Sequence, residues 1–127
     1  MKHILTCSFG KDSIATALLA LQHGEPLDEL VYSEVMFSDT VSGELPEHKR
    51  FIYETAIPYF EKRGIPTRVL RGQKTYLDCF YRIVSRGNAE GKLASFPLTG
   101  RCSIQRDCKL PPIRTYQKTL PQDTVYY

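Results

Sequence analysis

The sequence predicts an α/β protein built on an open parallel sheet with helices on both faces. Three observations carry this expectation. Apolar runs alternate with stretches of helical spacing in the order strand, helix, strand, helix, strand, helices, strand. The first run, Ile4 to Cys7, carries no charge, as a strand buried on both faces should. The first two helical stretches stop at glycine, Gly24 and Gly64, the residue that best tolerates the left-handed turn ending a helix.

The elements follow in order. Ile4 to Cys7 runs into Ser8-Phe9-Gly10, after which Asp12 or Ser13 can cap a helix presenting Ile14, Ala17, Leu18 and Leu21. Pro26 lies just beyond its stop. Leu30 to Phe37, rich in Val, Tyr, Met and Phe, reads as the second strand and ends in the polar turn Ser38-Asp39-Thr40. A second helix starts near Pro46, presents Phe51, Ile52, Ala56 and Phe60, and is expected to kink or break at Pro58. Thr67 to Leu70 is a third strand. Thr75 to Ser85 reads as a third helix with Leu77, Phe80, Tyr81 and Val84 on one side. Arg86 to Arg101, rich in Gly, Asn, Ser and Pro, reads as a loop. Ser103 to Lys109 can form a short helix that Pro111-Pro112 ends, the second proline starting another with Ile113 and Tyr116. Thr124 to Tyr127 is strand-like.

Bulk properties narrow the class. A chain of 127 residues, 42% hydrophobic and 24% charged, is expected to be a single globular domain over residues 1–127. No apolar run approaches the roughly 20 residues of a membrane helix. Met1 to Cys7 turns polar too soon for a signal peptide, so a cytoplasmic protein with no membrane partner is expected. The net charge of +3 leans toward anionic ligands but is too small and too spread to indicate nucleic acid. Basic residues thicken after Arg63, as a solvated surface or as an anion-facing rim. The four cysteines include no Cys-x-x-Cys pair and are expected as reduced thiols, with Cys7 packed in its strand.

Ser8 to Ser13, between the first strand and the first helix, has the composition of a phosphate-binding loop. A phosphate needs several N–H donors converging on it without obstruction. Gly10 can adopt a backbone conformation barred to other residues and lets an anion come close. The helix adds its free N–H groups and the positive end of its dipole. Ser8 and Ser13 add hydroxyls and Lys11 a cation. Asp12 fits as a cap, a loop organiser or a Mg2+ contact. The pattern is neither Gly-x-x-x-x-Gly-Lys-[Ser/Thr] nor Gly-x-Gly-x-x-Gly. In an open parallel sheet, ligands sit outside the carboxyl ends of the strands, and Asp39-Thr40 follows the second strand at that same end.

The loop resembles the Ser-Gly-Gly-x-Asp-Ser motif of the pyrophosphatase-loop (PP-loop) superfamily, with Phe9 at the first glycine. That replacement is similar to the branch holding phosphoadenosine phosphosulfate (PAPS) reductases, the ATP sulfurylase small subunit and related phage and DNA-modification proteins. Phe37-Ser38-Asp39-Thr40 with Glu44-Leu45-Pro46-Glu47 resembles the branch's Asp-Thr-Gly … Pro-Glu-Thr segment, Val41 standing where glycine is usual. Arg101-Cys102-Ser103 with Cys108-Lys109-Leu110-Pro111-Pro112-Ile113 resembles its Arg-x-Cys-Thr … Lys-Ile-x-Pro-Ile segment. The resemblance implies a Rossmann-like, adenine nucleotide alpha hydrolase-like sheet with strand order 3-2-1-4. It implies an adenine nucleotide, ATP or PAPS, with Ser8, Phe9, Gly10, Lys11, Asp12 and Ser13 around the phosphate or phosphosulfate. Asp39 and Thr40 would lie near the adenosine, and Arg101 and Lys109 at the anionic end. The implied chemistry is sulfonucleotide reduction or adenylyl transfer.

Members of the branch continue past the last strand into a charged turn, so the resemblance also implies a domain lacking its C-terminal part. Two further expectations follow. A catalytically inactive phage-type protein on the same scaffold would bind and inhibit a host protein. The open strand edge with Tyr126 and Tyr127 invites a protein partner or a homodimer. Cys102, beside Arg101 and at a possible helix start, is the candidate nucleophile. Some relatives hold an iron–sulfur cluster near this block. Such a cluster needs four ligands and Cys7 is assigned to packing, so neither a cluster nor zinc is expected at Cys79, Cys102 and Cys108.

Overall fold

The computed structural model of the chain describes residues 1–95 and 102–127. Strands β1 (His3–Thr6), β2 (Glu29–Ser33), β3 (Thr67–Leu70) and β4 (Val125–Tyr126) form one sheet in the order β3-β2-β1-β4, every pair parallel. The order 3-2-1-4 and the α/β open-sheet class agree with the sequence expectation. Leu5 lies opposite Leu30, Val31 opposite Arg68, and His3 opposite Val125. The Cys7 N–H donates to the Val31 carbonyl at 2.8 Å and carries the β1–β2 ladder one step past Thr6.

Alternation along the strands sorts the two faces. Leu5, Cys7, Leu30 and Tyr32 share one face and form the core with Ala17 of α1 (Lys11–Gln22) and with Ile52, Ala56 and Phe60 of the helical run 46–61. Ile4 and Val31 point the other way. There α5 (Leu110–Gln117), with Ile113 buried, packs against β2. Both faces are thus covered by helices. The first two helical runs stop as expected. Gly24 and Gly64 take φ of +67° and +79°, and the next N–H reaches back five residues, Glu25 to Ala20 and Ile65 to Phe60.

Prolines act differently from the sequence expectation. The run 46–61 does not break at Pro58. Between α2 (Pro46–Phe51) and α3 (Ile57–Glu61) it widens into a π turn, Ile52–Ala56, where the Ile57 N–H bonds the Ile52 carbonyl. A proline ring collides with the carbonyl four residues back in a regular α-helix, and the wider turn moves that carbonyl aside. The same device precedes Pro111-Pro112. A π turn, Gln105–Lys109, lets the Leu110 N–H reach Gln105, and both prolines follow directly on this change of register, in the first turn of α5. The result is one continuous helical run, 103–117, and not two helices divided by the prolines.

Two elements are shorter than expected. Helix α4 (Tyr76–Phe80) starts on a capping box: Thr75 Oγ1 accepts from the Asp78 N–H and Asp78 Oδ2 accepts from the Thr75 N–H. It stops before Val84, where Ile83 pairs with Leu93 in a hairpin that turns through Gly87 and Gly91. Strand β2 ends at Ser33 and not at Phe37. The chain turns away after Glu34, and Met36 pairs antiparallel with Ser42. No helix among the described residues is long and apolar enough to cross a membrane.

Candidate functional site

The carboxyl ends of β1 and β2 lie side by side, and the loops that leave them rise from one end of the sheet. At the first loop the left-handed backbone belongs to Phe9, with φ of +59°. Gly10 has φ of −75° and serves as the N-cap of α1. This corrects the role expected of Gly10: its own conformation is open to any residue. A Cβ built on it meets only Ser8 Oγ, at an ordinary 3.6 Å. Phe9 holds its unfavourable conformation through burial. The residue is 1% exposed, and its ring meets the Tyr32 ring edge-on at 5.4 Å. A strained φ costs on the order of 1–3 kcal/mol, and full burial of a phenylalanine side chain returns about as much.

The hydroxyls converge at the start of α1. Ser13 Oγ donates to the Gly10 carbonyl at 3.2 Å and lies 3.4 Å from Ser8 Oγ, which sits 3.5 Å from the Gly10 N–H. Neither Asp12 nor Ser13 caps the helix, and no side chain among the described residues does. Lys11 and Asp12 are exposed. Beneath the loop, burial pushes the Cys7 thiol up, while the Ser13 hydroxyl and the Phe9 main chain pull it back. A twelve-residue helix therefore begins with its first N–H groups uncapped by any side chain among the described residues, beside two hydroxyls and a lysine. That arrangement accepts an anion through backbone N–H groups and the helix dipole.

The second loop is built from its base. Glu34 is fully buried. It accepts two hydrogen bonds from Arg71, at 3.0 and 2.7 Å, and one each from Ser42 and Tyr53 at 2.9 Å. Burial alone would raise its carboxyl, but Arg71, Ser42 and Tyr53 outweigh it and hold the group below the usual carboxylate range. Above this base Ser38 Oγ accepts from the N–H groups of Thr40 and Val41, and Asp39 and Thr40 stand exposed. Tyr32 joins the two loops. Its ring packs on Phe9, and its hydroxyl donates to Glu44 at 3.0 Å. Burial, with the Glu44 and Glu34 carboxylates, drives that hydroxyl's pKa up and keeps its proton in place.

The third block is placed in part. Arg101 lies outside the described residues. Cys102 is exposed just ahead of the run 103–117. Lys109 is tied to the site through its main chain, the Ser33 hydroxyl donating to its carbonyl at 2.9 Å, and its side chain is half-buried. No hydrogen bond joins Cys102 or the Lys109 side chain to Ser8–Ser13 among the described residues. No group of three or more His, Cys, Asp or Glu gathers there as a metal site either.

The structure thus interlocks Ser8, Phe9, Gly10 and Ser13 and links them through Tyr32 and Glu44 to the loop of Asp39 and Thr40. Cys102 shares no hydrogen bond with these residues among the described ones. The Glu34 cluster escaped the sequence reading because its partners lie 8, 19 and 37 residues away. A charge interrupting the apolar run Val31 to Phe37 was the available signal. Cavities of about 610, 570 and 260 Å³ lie elsewhere, and none is lined by residues 8–13 or by Asp39 and Thr40. The largest runs between the Arg71–Lys74 turn and Pro111, Pro112 and Tyr116. Searches against family models, curated proteins and solved structures returned no match to this chain.

Proposed function

We propose that the chain binds an adenine nucleotide, ATP or PAPS, at the loop Ser8–Ser13, as the PAPS reductase-like branch of the PP-loop superfamily does. The observation that carries the reading is the uncapped start of α1 at the carboxyl end of an interior strand, with Ser8 and Ser13 hydroxyls 3.4 Å apart beside it. The phosphate would take the first N–H groups of α1 and the two hydroxyls, with Lys11 as counter-charge and Mg2+ at Asp12. Asp39 and Thr40 would meet the adenosine, and Arg101 and Lys109 the far anionic end. If the protein turns its ligand over, the reaction is sulfonucleotide reduction, with Cys102 as the thiol, or adenylyl transfer.

Titration calorimetry with ATP and with PAPS, each with Mg2+, tests this. Binding is expected for one of them, weakened about tenfold in Ser13→Ala by the loss of one hydrogen bond of about 1.4 kcal/mol. Gly10→Ala is the sharper variant. Its methyl group fits the folded backbone, so binding should fall while the unfolding midpoint stays put. Absence of heat with either nucleotide on folded protein, or equal binding by both variants, rejects the site.

A second reading, a protein-binding relative without turnover, is favoured by one surface. Tyr127, just past β4, is 45% exposed and lines a groove with Leu5, Leu19 and Leu27. It predicts an intact fold with no product from either nucleotide.

A further inference from the structure

The molecule contains a pair of thiols that the nucleotide reading does not use. Cys79 of α4 and Cys108 of the π turn Gln105–Lys109 are 2% and 1% exposed, and their sulfurs lie 3.4 Å apart. They sit in a small apolar cluster with Ile104, Val35 and Tyr76, separate from the main core. We propose that Cys79 and Cys108 form a reversible disulfide, with a low-molecular-weight disulfide as oxidant. Each thiol gives up its proton and one electron. The S–S bond of the oxidant breaks as the Cys79–Cys108 bond forms, and the oxidant leaves as two thiols.

The geometry favours this pair over any other. The sulfurs are already in contact, and the contraction to a bond is about 1.4 Å. The elements that must give are compliant. Helix α4 has five residues, and the hairpin after it exposes Tyr81, Ile83 and Leu93. In the closed state the exchange is slow, because burial and the neighbouring sulfur push the Cys108 thiol up to about 12. Oxidation therefore proceeds when α4 opens locally. The consequence reaches the second loop. The N–H groups of Tyr76 and Leu77 bond the carbonyls of Met36 and Phe37, so α4 supports the segment carrying Asp39 and Thr40. A disulfide would fasten that support to the run 103–117.

The test uses the full chain with excess oxidised glutathione, held until the amides of α4 have exchanged with solvent, then alkylated and mapped by mass spectrometry. The expected product is a peptide pair joined through Cys79 and Cys108, lighter by two hydrogens and restored by dithiothreitol. Exposed Cys102 should carry glutathione. The variant Cys102→Ala, which leaves the pair untouched, should form the same link and melt at a higher temperature oxidised than reduced. Two results overturn the proposal. One is Cys79 and Cys108 both recovered as alkylated thiols where Cys102 is fully modified. The other is a link from Cys102 to either of them.

Discussion

Phe9 shows how one residue sets a loop. Its φ of +59° is a conformation that glycine adopts freely and phenylalanine does not. The ring compensates by filling the space against Tyr32. Two costs therefore compete in any replacement. Phe9→Ala loses the packing and keeps a side chain in the strained region, and should destabilise the fold by about 3 kcal/mol. Phe9→Gly loses the same packing but relieves the strain, so it should be the more stable of the two variants. This reverses the order found at ordinary core positions, where glycine is worse than alanine. Denaturant unfolding of the two proteins decides it, and an Ala variant as stable as the Gly variant or more so would contradict the strain. The loop's place was legible in the sequence because an apolar strand, a polar hexapeptide and a helical period stand next to one another. The assignment of the strain to Phe9 was not. It depends on Tyr32, 23 residues on, offering its ring edge.

At the scale of elements, the prolines and one glycine explain where the sequence reading and the structure part. Proline signals a break only if the helix stays in the α register. Here both runs change register before the proline arrives, and pattern alone does not show that. The order of the strands in the sheet followed only from the family resemblance, whereas the short strands themselves were legible, since apolar runs and glycine stops are local signals. The length of α4 was not, because Tyr81 and Val84 continue the helical period while the hairpin pairs Ile83 with Leu93. The π turn Gln105–Lys109 also makes a demand on its neighbour. A Cβ on Gly72, after β3, would stand 2.7 Å from the Cys108 carbonyl oxygen, which is main chain and cannot swing aside. Gly72→Ala should therefore shift the helical run 103–117 and cost about 2 kcal/mol. Unfolding curves measure the cost. Amide exchange should quicken in α5 and not in α1, and uniform quickening would mean the contact is not where the strain falls.

Across the whole molecule, β2 is held at both ends by buried carboxylates on opposite faces of the sheet. Glu29, 4% exposed, meets Lys2 and Arg68 at 2.6 Å and Tyr116 at 2.8 Å, tying the N-terminus, β3 and α5 together. Glu34 ties the second loop, the helical run 46–61 and the turn after β3. In each case burial would raise the carboxyl, and the hydrogen-bonded partners overcome it, so both folded values lie below 4.5. Their contribution to stability is complete above that value and is lost as pH falls through the lower folded values. Between the two, the unfolded chain binds more protons than the folded one, and stability declines with falling pH. Each group adds a slope of up to about 1.4 kcal/mol per pH unit. Urea unfolding at a series of pH values should show a decline that begins near 4.5 at an unchanged m-value. Glu34→Gln separates this from general acid expansion. It should lower stability at neutral pH by about 2 kcal/mol, because three donors lose their charged acceptor. It should also make the decline below 4.5 shallower by up to one group's slope. A variant that is less stable but falls with the parent's slope would show that Glu34 is not held ionised by its partners, and the pin at that end of β2 would have to be sought in packing alone.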